Sequence, residues 1–361
     1  VLIVADENLS MYISAETLDD LLIRVYKRLL SGKGTFEIRP RKGPATEMFG
    51  VLLQITNPRA RLSRTEGKNT FFSCIGELLW YLSGTDRVDF IEHYIPHYSK
   101  YSDDGGKTIS GAYGPRLHNL NGINQLDNII KMLQAGPDSR RAVIQLFKAE
   151  DLAKDLEVEL KDLPCTCTLQ FTVRKKRLQL LTTMRSNDAY KGLPHDVFAF
   201  TMLQEIMARR LGYEVGSYRH AVGSFHLYHD DLEKAKQYID EGVQRRISMP
   251  AMPKGDPTGS IAMLLEAEAS IREGKRTNLS RLAPYWADLA RLLKIYRLTI
   301  DPTESGASQI RRLRRQMDSN IYEIYIDKRA RRKPAKAPLV PRDLFAAHPD
   351  AEPEPQVQAV G

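Results

Sequence analysis

A cysteine follows a proline in Leu163-Pro164-Cys165-Thr166-Cys167, and alternating apolar residues begin directly after it. On its own a cysteine in such a place reads as a structural thiol, and Cys167 is read that way. The next motif along the chain gives Cys165 chemistry. Arg185-Ser186-Asn187-Asp188 sets a guanidinium, a hydroxyl and a carboxylate at the end of the run that returns towards Cys165. A nearby cation lowers a thiol's pKa and supplies the thiolate nucleophile. Arg185 also suits a phosphate. Further on, Gly192-Leu193-Pro194-His195-Asp196 precedes a helix, and Gly223-Ser224-Phe225-His226-Leu227-Tyr228 ends a strand-like stretch. Pro137-Asp138-Ser139-Arg140-Arg141 places two arginines at a turn. Arginines far apart in sequence, each at the edge of an element, suggest an anion pocket.

The elements that must position these residues are partly visible. Leu18, Leu21, Leu22, Val25, Leu29 and Leu30 recur at helical spacing, with Gly32 as a stop. A Pro/Gly/Arg-rich stretch at 39–44 leads into a strand-like run at 51–55. The pattern predicts helices over 71–83 and 124–134, a buried strand over 141–147 and an amphipathic helix over 197–211. Residues 168–184 read as a hairpin, with Leu169, Phe171 and Val173 alternating with polar residues and Arg174-Lys175-Lys176-Arg177 as the turn. From about 260 to 320 the pattern is helical. Both element types without regular βα alternation predict an α+β fold. The expected division is 1–250 as a catalytic domain, 251–330 as a helical addition, and 331–361 as a basic, then Pro/Glu-rich, disordered tail.

Hydrophobic residues at 42% and charged residues at 27% of 361 describe an ordinary globular chain. No apolar run reaches membrane-span length, and the first residues carry no basic segment, so neither a membrane partner nor a secretory signal is expected. Three cysteines do not make a disulfide framework, which points to the cytoplasm. There is no phosphate-cradling glycine loop, no His-Glu-x-x-His and no Cys-x-x-Cys, so no metal is expected. The net charge of +8 is concentrated in residues 309–336, which hold ten Arg/Lys and three acids. That reads as one solvated late segment, so a nucleic-acid partner is not expected.

The joint order of the motifs is informative. Pro164-Cys165 with Gln170-Phe171, then Arg185-Ser186 and Asp188, Gly192-Leu193-Pro194, and His226-Leu227-Tyr228 resemble the thymidylate synthase family, without gaps from Cys165 to Tyr228. Asp138-Ser139-Arg140-Arg141, Tyr113-Gly114 and Glu77-Leu78-Leu79-Trp80 extend the resemblance upstream, to about residues 16–235 in all. It implies a mixed sheet flanked by helices. It also implies a homodimer and a reaction between a pyrimidine nucleoside monophosphate and 5,10-methylenetetrahydrofolate. Carried over, Cys165 is the nucleophile for pyrimidine C6. Arg185, Arg41 (with Arg39 as a rival) and the partner's Arg140 and Arg141 form the phosphate clamp, with Ser186 beside the substrate. His226 and Tyr228 hold the sugar 3′-hydroxyl. Glu77 and Tyr113 order water and move protons, and Asp188 and Gly192 face the folate.

Departures from the family's pattern bear on the branch. The asparagine that reads uracil is replaced by Asp196. Uracil offers an N3–H donor and an O4 acceptor; cytosine reverses both, which a protonated carboxyl can match. A helix N-cap is the structural alternative for Asp196. The folate-packing tryptophans are replaced in the corresponding region by Tyr98 and Tyr101, and Cys165-Thr166 lacks the synthase's Cys-His pair. A site less shut against water would hydrate a C5 methylene rather than reduce it. The resemblance therefore points to the pyrimidine-nucleotide 5-hydroxymethylase branch, acting on CMP or dCMP, with a place in nucleoside-antibiotic biosynthesis. Ala189, where such relatives carry a larger valine, tilts the sugar towards ribose. The alternatives are a thymidylate synthase acting on dUMP and a non-catalytic nucleotide- or RNA-binding protein.

Overall fold

The structure, a computed structural model, describes residues 10–65, 70–300 and 306–331. Seven strands form one mixed sheet: β1 (Tyr12–Ala15), β2 (Phe36–Ile38), β3 (Ala45–Ile55), β4 (Val143–Gln145), β5 (Thr166–Arg174), β6 (Arg177–Asp188) and β7 (Glu214–Tyr228). The order is β1-β3-β7-β6-β5-β4, with β2 paired to the first residues of β3. β6 and β7 run parallel; β3 and β5 run antiparallel to their inner neighbours. The α+β expectation holds. The described helices are α1 (Leu18–Leu30), α2 (Phe71–Ser83), α3 (Val88–Tyr94), α4 (Tyr113–His118), α5 (Gln125–Ala135), α6 (Ala149–Val158), α7 (Gly192–Leu211), α8 (Leu232–Asp240), α9 (Thr258–Arg272), α10 (Pro284–Ile300), α11 (Gly306–Arg315) and α12 (Glu323–Arg331). None is long and apolar enough to cross a membrane.

The hairpin of β5 and β6 turns where expected. Lys175 and Lys176 both take positive φ, 51° and 57°, which matches the twist of a two-residue connection. Its register pairs Thr166 with Met184, and the Arg185 N–H donates to the Cys165 carbonyl at 2.9 Å. The return strand does end beside the cysteine.

The strand expected over 141–147 is shorter and lies at an edge. Ala142, Ile144 and Leu146 are buried while Val143 and Gln145 are exposed, a period-two pattern with one covered face. The helix expected from 197 begins at Gly192. Pro194 is tolerated there because the first turn has no intrahelical acceptor for its N–H. Asp196 therefore lies inside the helix, and its reading as an N-cap is corrected.

Topology gathers the motifs. β5 starts, β6 and β7 end, and β3 starts at one end of the sheet, where Asp188 pairs with His226 and Ala45 with Tyr228. Arg41, Lys42, Cys165, Arg185, Asp188, His226 and Tyr228 thus converge from four strands. α2, α4 and α7 cover this end. Later helices pack behind α2: Phe71 stacks on Tyr322 at 5.6 Å, and Phe72 meets Tyr296 at 5.9 Å.

The basic segment is only partly a solvated run. Arg314 pairs with Asp327 at 2.9 Å, and Lys328 is buried and donates to the carbonyls of Arg64 and Thr65. The expected tail, from residue 332 on, lies outside the described residues.

Candidate active site

Cys165 is half-buried ahead of β5. Arg185 Nη2 lies 3.8 Å from its Sγ, while Arg185 Nε and Nη2 donate to the carbonyls of Pro164 and Leu163 at 2.9 and 3.1 Å. The guanidinium is anchored on the loop that carries the thiol. Its effect on that thiol has the expected sign but is outweighed. Burial pushes the Cys165 pKa up, Arg185 and Lys42 pull it down, and Asp162 and Asp196 add to the rise. In the free protein the thiol is held protonated rather than poised as thiolate, which corrects the simple cation argument.

Tyr113 opens α4, and its hydroxyl oxygen accepts from Thr166 N at 3.0 Å and Thr166 Oγ1 at 2.9 Å. Two donors on one oxygen leave the phenol's own proton to be donated. Glu77, on α2, accepts from Tyr81 through Oε1 at 2.8 Å, while Oε2 is buried without a partner among the described residues. An orphaned buried acceptor is costly unless a ligand or water meets it.

Asp196 projects from the first turns of α7 and is 8% exposed. Its Oδ2 accepts from Asn187 Nδ2 at 2.7 Å. Burial and the nearby Glu77 carboxylate raise its pKa to about 8, against the opposing pull of Asn187 and His195. At neutral pH this carboxyl holds its proton, so it can donate and accept at once. Gly192 makes room for the arrangement: a Cβ there would lie 2.9 Å from Asn187 Nδ2 and 3.6 Å from Asp196 Oδ2.

Asp188 uses Oδ1 to accept from the N–H groups of Tyr190 and Lys191 at 2.8 and 2.9 Å, fixing the turn into α7. His226 is buried with its ring 4.9 Å from that of Tyr228, edge to face, and burial lowers its pKa. Ser186 pairs with Ser224 in the β6–β7 register. Tyr98 is partly buried between Trp80 and Tyr101, at 5.6 and 5.3 Å between ring centres. Ala189 is fully buried, its N–H on the His226 carbonyl at 2.8 Å.

The arginines divide. Arg185 is at the cysteine. Arg41 is committed to the segment before it, donating to the carbonyls of Leu160 and Lys161 at 3.3 and 3.0 Å and pairing with Glu159 at 3.6 Å. Arg39 is exposed. Arg140 and Arg141 are exposed on the turn before β4 and line a surface groove formed by residues 136–141. Among the described residues no hydrogen bond or ion pair joins their side chains to the Cys165 group.

Sequence reasoning missed four residues here. Lys42 lies 4.9 Å over the Tyr101 ring and acts electrostatically on Cys165, His226 and Asp162. Its place in the 39–44 stretch beside Arg41 was the available signal. Asp162, three residues before Cys165, is raised by burial. Asn187 and His220 are buried polar residues joined at 3.1 Å, and nothing in their spacing announces that contact.

Comparison with known proteins agrees with this architecture. The profile of the family described as Thymidylate synthase matches residues 32–256. The chain is 33% identical over 221 residues to the deoxyuridylate hydroxymethyltransferase of Bacillus phage SP01, covering 58% of this chain and 56% of that one. It is 32% identical over 215 residues to the enzyme of the same name from Delftia phage PhiW-14, covering 56% and 59%. A thymidylate synthase of Mycoplasma mobile is 26% identical over 196 residues, covering 46% of this chain and 66% of its own. The chain thus spans little more than half the length of the phage relatives it matches. With the motifs gathered at one end of a mixed sheet and the profile spanning most of the chain, the protein belongs to the thymidylate synthase family.

Proposed function

We propose that the protein is a cytidine-nucleotide 5-hydroxymethylase that moves a one-carbon unit from 5,10-methylenetetrahydrofolate to C5 of CMP and hydrates it. The observation that carries the base assignment is Asp196, a buried carboxyl that keeps its proton near neutral pH. It offers a donor to cytosine N3 and an acceptor to the 4-amino group, where an asparagine would serve uracil. The phage relatives' name makes uracil the competing base, and a synthase acting on dUMP is the competing reaction.

In this reading Cys165 adds to C6 and makes C5 nucleophilic. Arg185 holds the phosphate beside the thiol, joined by Arg41, whose carbonyl contacts it would exchange for phosphate oxygens. Arg140 and Arg141 reach the clamp across a homodimer. That assembly is supported by a sheet whose helices cover one face, leaving Leu52, Gln170, Thr172, Leu181 and Ala221 half-exposed on the other. His226 and Tyr228 hold the sugar. The choice of ribose rests on the small Ala189, where such relatives carry a larger valine.

The folate co-substrate supplies the one-carbon unit when bound. Asp188, Gly192 and Tyr98 would hold it, and Glu77 Oε2 and Trp80 Nε1 are buried polar atoms without a hydrogen-bond partner among the described residues. Glu77 then orders the water that adds to the C5 methylene, and Tyr113 donates the proton its oxygen does not share.

Incubating the protein with the folate and dUMP, dCMP or CMP tests this. A 5-hydroxymethyl product from CMP without dihydrofolate absorbance at 340 nm is expected. Dihydrofolate with dUMP supports a synthase, and no turnover supports a binding protein. A clear dCMP preference overturns the ribose choice alone. Cys165→Ala is expected to abolish turnover while leaving nucleotide binding largely intact.

A further inference from the structure

Behind Asp196 lies a file of buried polar groups that the proposed reaction does not use. Asn187, in β6, donates from Nδ2 to Asp196 Oδ2 at 2.7 Å. Its Oδ1 is 3.1 Å from His220 Nε2, and His220 Nδ1 is 2.7 Å from the Tyr218 hydroxyl, both on β7. Tyr218 and His220 are each 1% exposed and Asn187 is 4% exposed.

A neutral imidazole has one N–H, so this file has two self-consistent directions. In one, Tyr218 donates to His220 Nδ1, Nε2–H donates to Asn187 Oδ1, and the Asn187 amide donates to Asp196. In the other every bond reverses, Asn187 turns Oδ1 towards Asp196, and the Asp196 proton sits on Oδ2 facing inward. Tyr218 and the buried Thr182 hydroxyl beside it weigh the two. With Tyr218 donating to Nδ1, its oxygen is free to accept from Thr182; in the reverse direction it takes the His220 N–H and turns its own proton on Thr182, whose proton is then left without an acceptor among the described residues. Burial holds His220 neutral, with its pKa lowered to about 3, so no second imidazole proton blurs the direction.

We infer that Tyr218, His220 and Asn187 form a directional relay that seats the Asp196 proton on Oδ1 and thereby selects cytosine over uracil. With Oδ2 accepting from Asn187, Oδ1–H donates to cytosine N3, and Oδ2 keeps a lone pair for the 4-amino group. Uracil, carrying N3–H and O4, needs Oδ1 to accept. The three are positioning residues, acting through Asp196 rather than on substrate. The inference rests on the cytosine reading of Asp196 and adds what sets its hydrogen-bond polarity.

The test compares kcat/KM for CMP and dUMP in the parent, His220→Leu, His220→Gln and Tyr218→Phe. Leucine can neither donate to Asn187 nor accept from Tyr218; glutamine can do both. The CMP/dUMP ratio is expected to fall about tenfold in His220→Leu, to stay within about threefold of the parent in His220→Gln, and to fall about threefold in Tyr218→Phe. A merely structural role lowers both rates together and leaves the ratio unmoved. Should His220→Leu fail to fold, Tyr218→Phe carries the test, as does 15N NMR of the parent. That spectrum should show His220 as the Nε2–H tautomer, and the Nδ1–H tautomer would overturn the relay. A parent preferring dUMP to both CMP and dCMP overturns the base reading itself. A parent preferring CMP whose ratio no variant moves overturns the relay and leaves that reading standing.

Discussion

Near the C-terminal end of α7, Glu205 has no exposure and meets Arg61, equally buried, in a direct ion pair. Its other oxygen accepts from Met252 N at 2.9 Å, and Arg209 Nε donates to the Met252 carbonyl at 3.0 Å. Near the N-terminal end of the same helix Asp196 is also buried, but its hydrogen bond is to a neutral amide, and the nearest carboxylates repel it. One helix therefore buries two acids under opposite rules. Glu205 is matched by a full charge and two chain segments, and its role is to lock α7 to residues 61 and 252. Asp196 is matched by no cation strong enough to hold its charge, so it keeps a proton and half its bonding capacity. The unspent capacity marks the site.

The largest expected effect breaks the matched end. Glu205→Ala leaves Arg61 buried without its counter-charge and should cost about 3–5 kcal/mol of stability, read as a lowered Tm or denaturation midpoint. The CMP/dUMP preference of the protein that remains folded should not change. A shifted preference would mean that the two ends of α7 are not independent. Next comes Asp196→Asn, which should stay folded. While the relay keeps Asn187 Nδ2 facing inward, the new amide turns its NH2 to N3 and still suits cytosine. The move of kcat/KM towards uracil nucleotides, roughly ten- to a hundredfold, is therefore expected in the Asp196→Asn, His220→Leu double variant. An unchanged ratio there would reduce Asp196 to a packing residue.

Titration sharpens the contrast. Asp196 in the folded protein titrates at about 8, against an ordinary value of 3.8. Between those values the folded state keeps a proton that the unfolded chain has released, so this group's contribution to stability falls as pH rises and is fully lost above about 8. The charged and titratable groups around it are Glu77 and Tyr81 on α2, Tyr113 on α4, Cys165, Asp188, Tyr218 and His195. Those groups persist in Asp196→Asn, so the difference between parent and variant isolates the one carboxyl. It should change by about 1.4 kcal/mol per pH unit across the window, in favour of the parent at low pH. Equal pH dependence of denaturation in the two proteins would show that Asp196 ionises normally.

What the sequence disclosed divides along similar lines. The β5–β6 hairpin, α2 and α5 were legible because period-two and period-3.6 patterns are local, and the convergence of Cys165 with Arg185 came from hairpin register. The start of α7 was not, since Gly192 and Pro194 read as loop residues although a helix's first turn accepts both. Asp196 was visible as a departure from a familiar motif. Its protonation was not, because that depends on burial in the folded protein and on Glu77, 119 residues earlier on another helix. The Asn187–His220 contact was illegible too: it crosses a parallel strand pair, and such strands are joined only through a long connection.

The smallest effect expected concerns the space between the two acids' neighbours. At the matched end of α7 the contacts are charged and would absorb a small steric change. At the open end Gly192 leaves room for the Asn187 amide, and an alanine Cβ would sit 2.9 Å from its nitrogen. The amide is a side-chain terminus, but His220 holds it from the other side, so it must give by a few tenths of an ångström along its bond to Asp196. Gly192→Ala should therefore lengthen that bond rather than unfold the helix, since alanine is favoured over glycine in helices by about 1 kcal/mol. The expected outcome is a Tm equal to or above the parent's, together with a loss of about threefold in the CMP/dUMP ratio, within the reach of one weakened hydrogen bond. A higher Tm with an intact ratio would show that Asn187 does not need its present distance to orient Asp196. A collapse in Tm would place the constraint on the backbone instead.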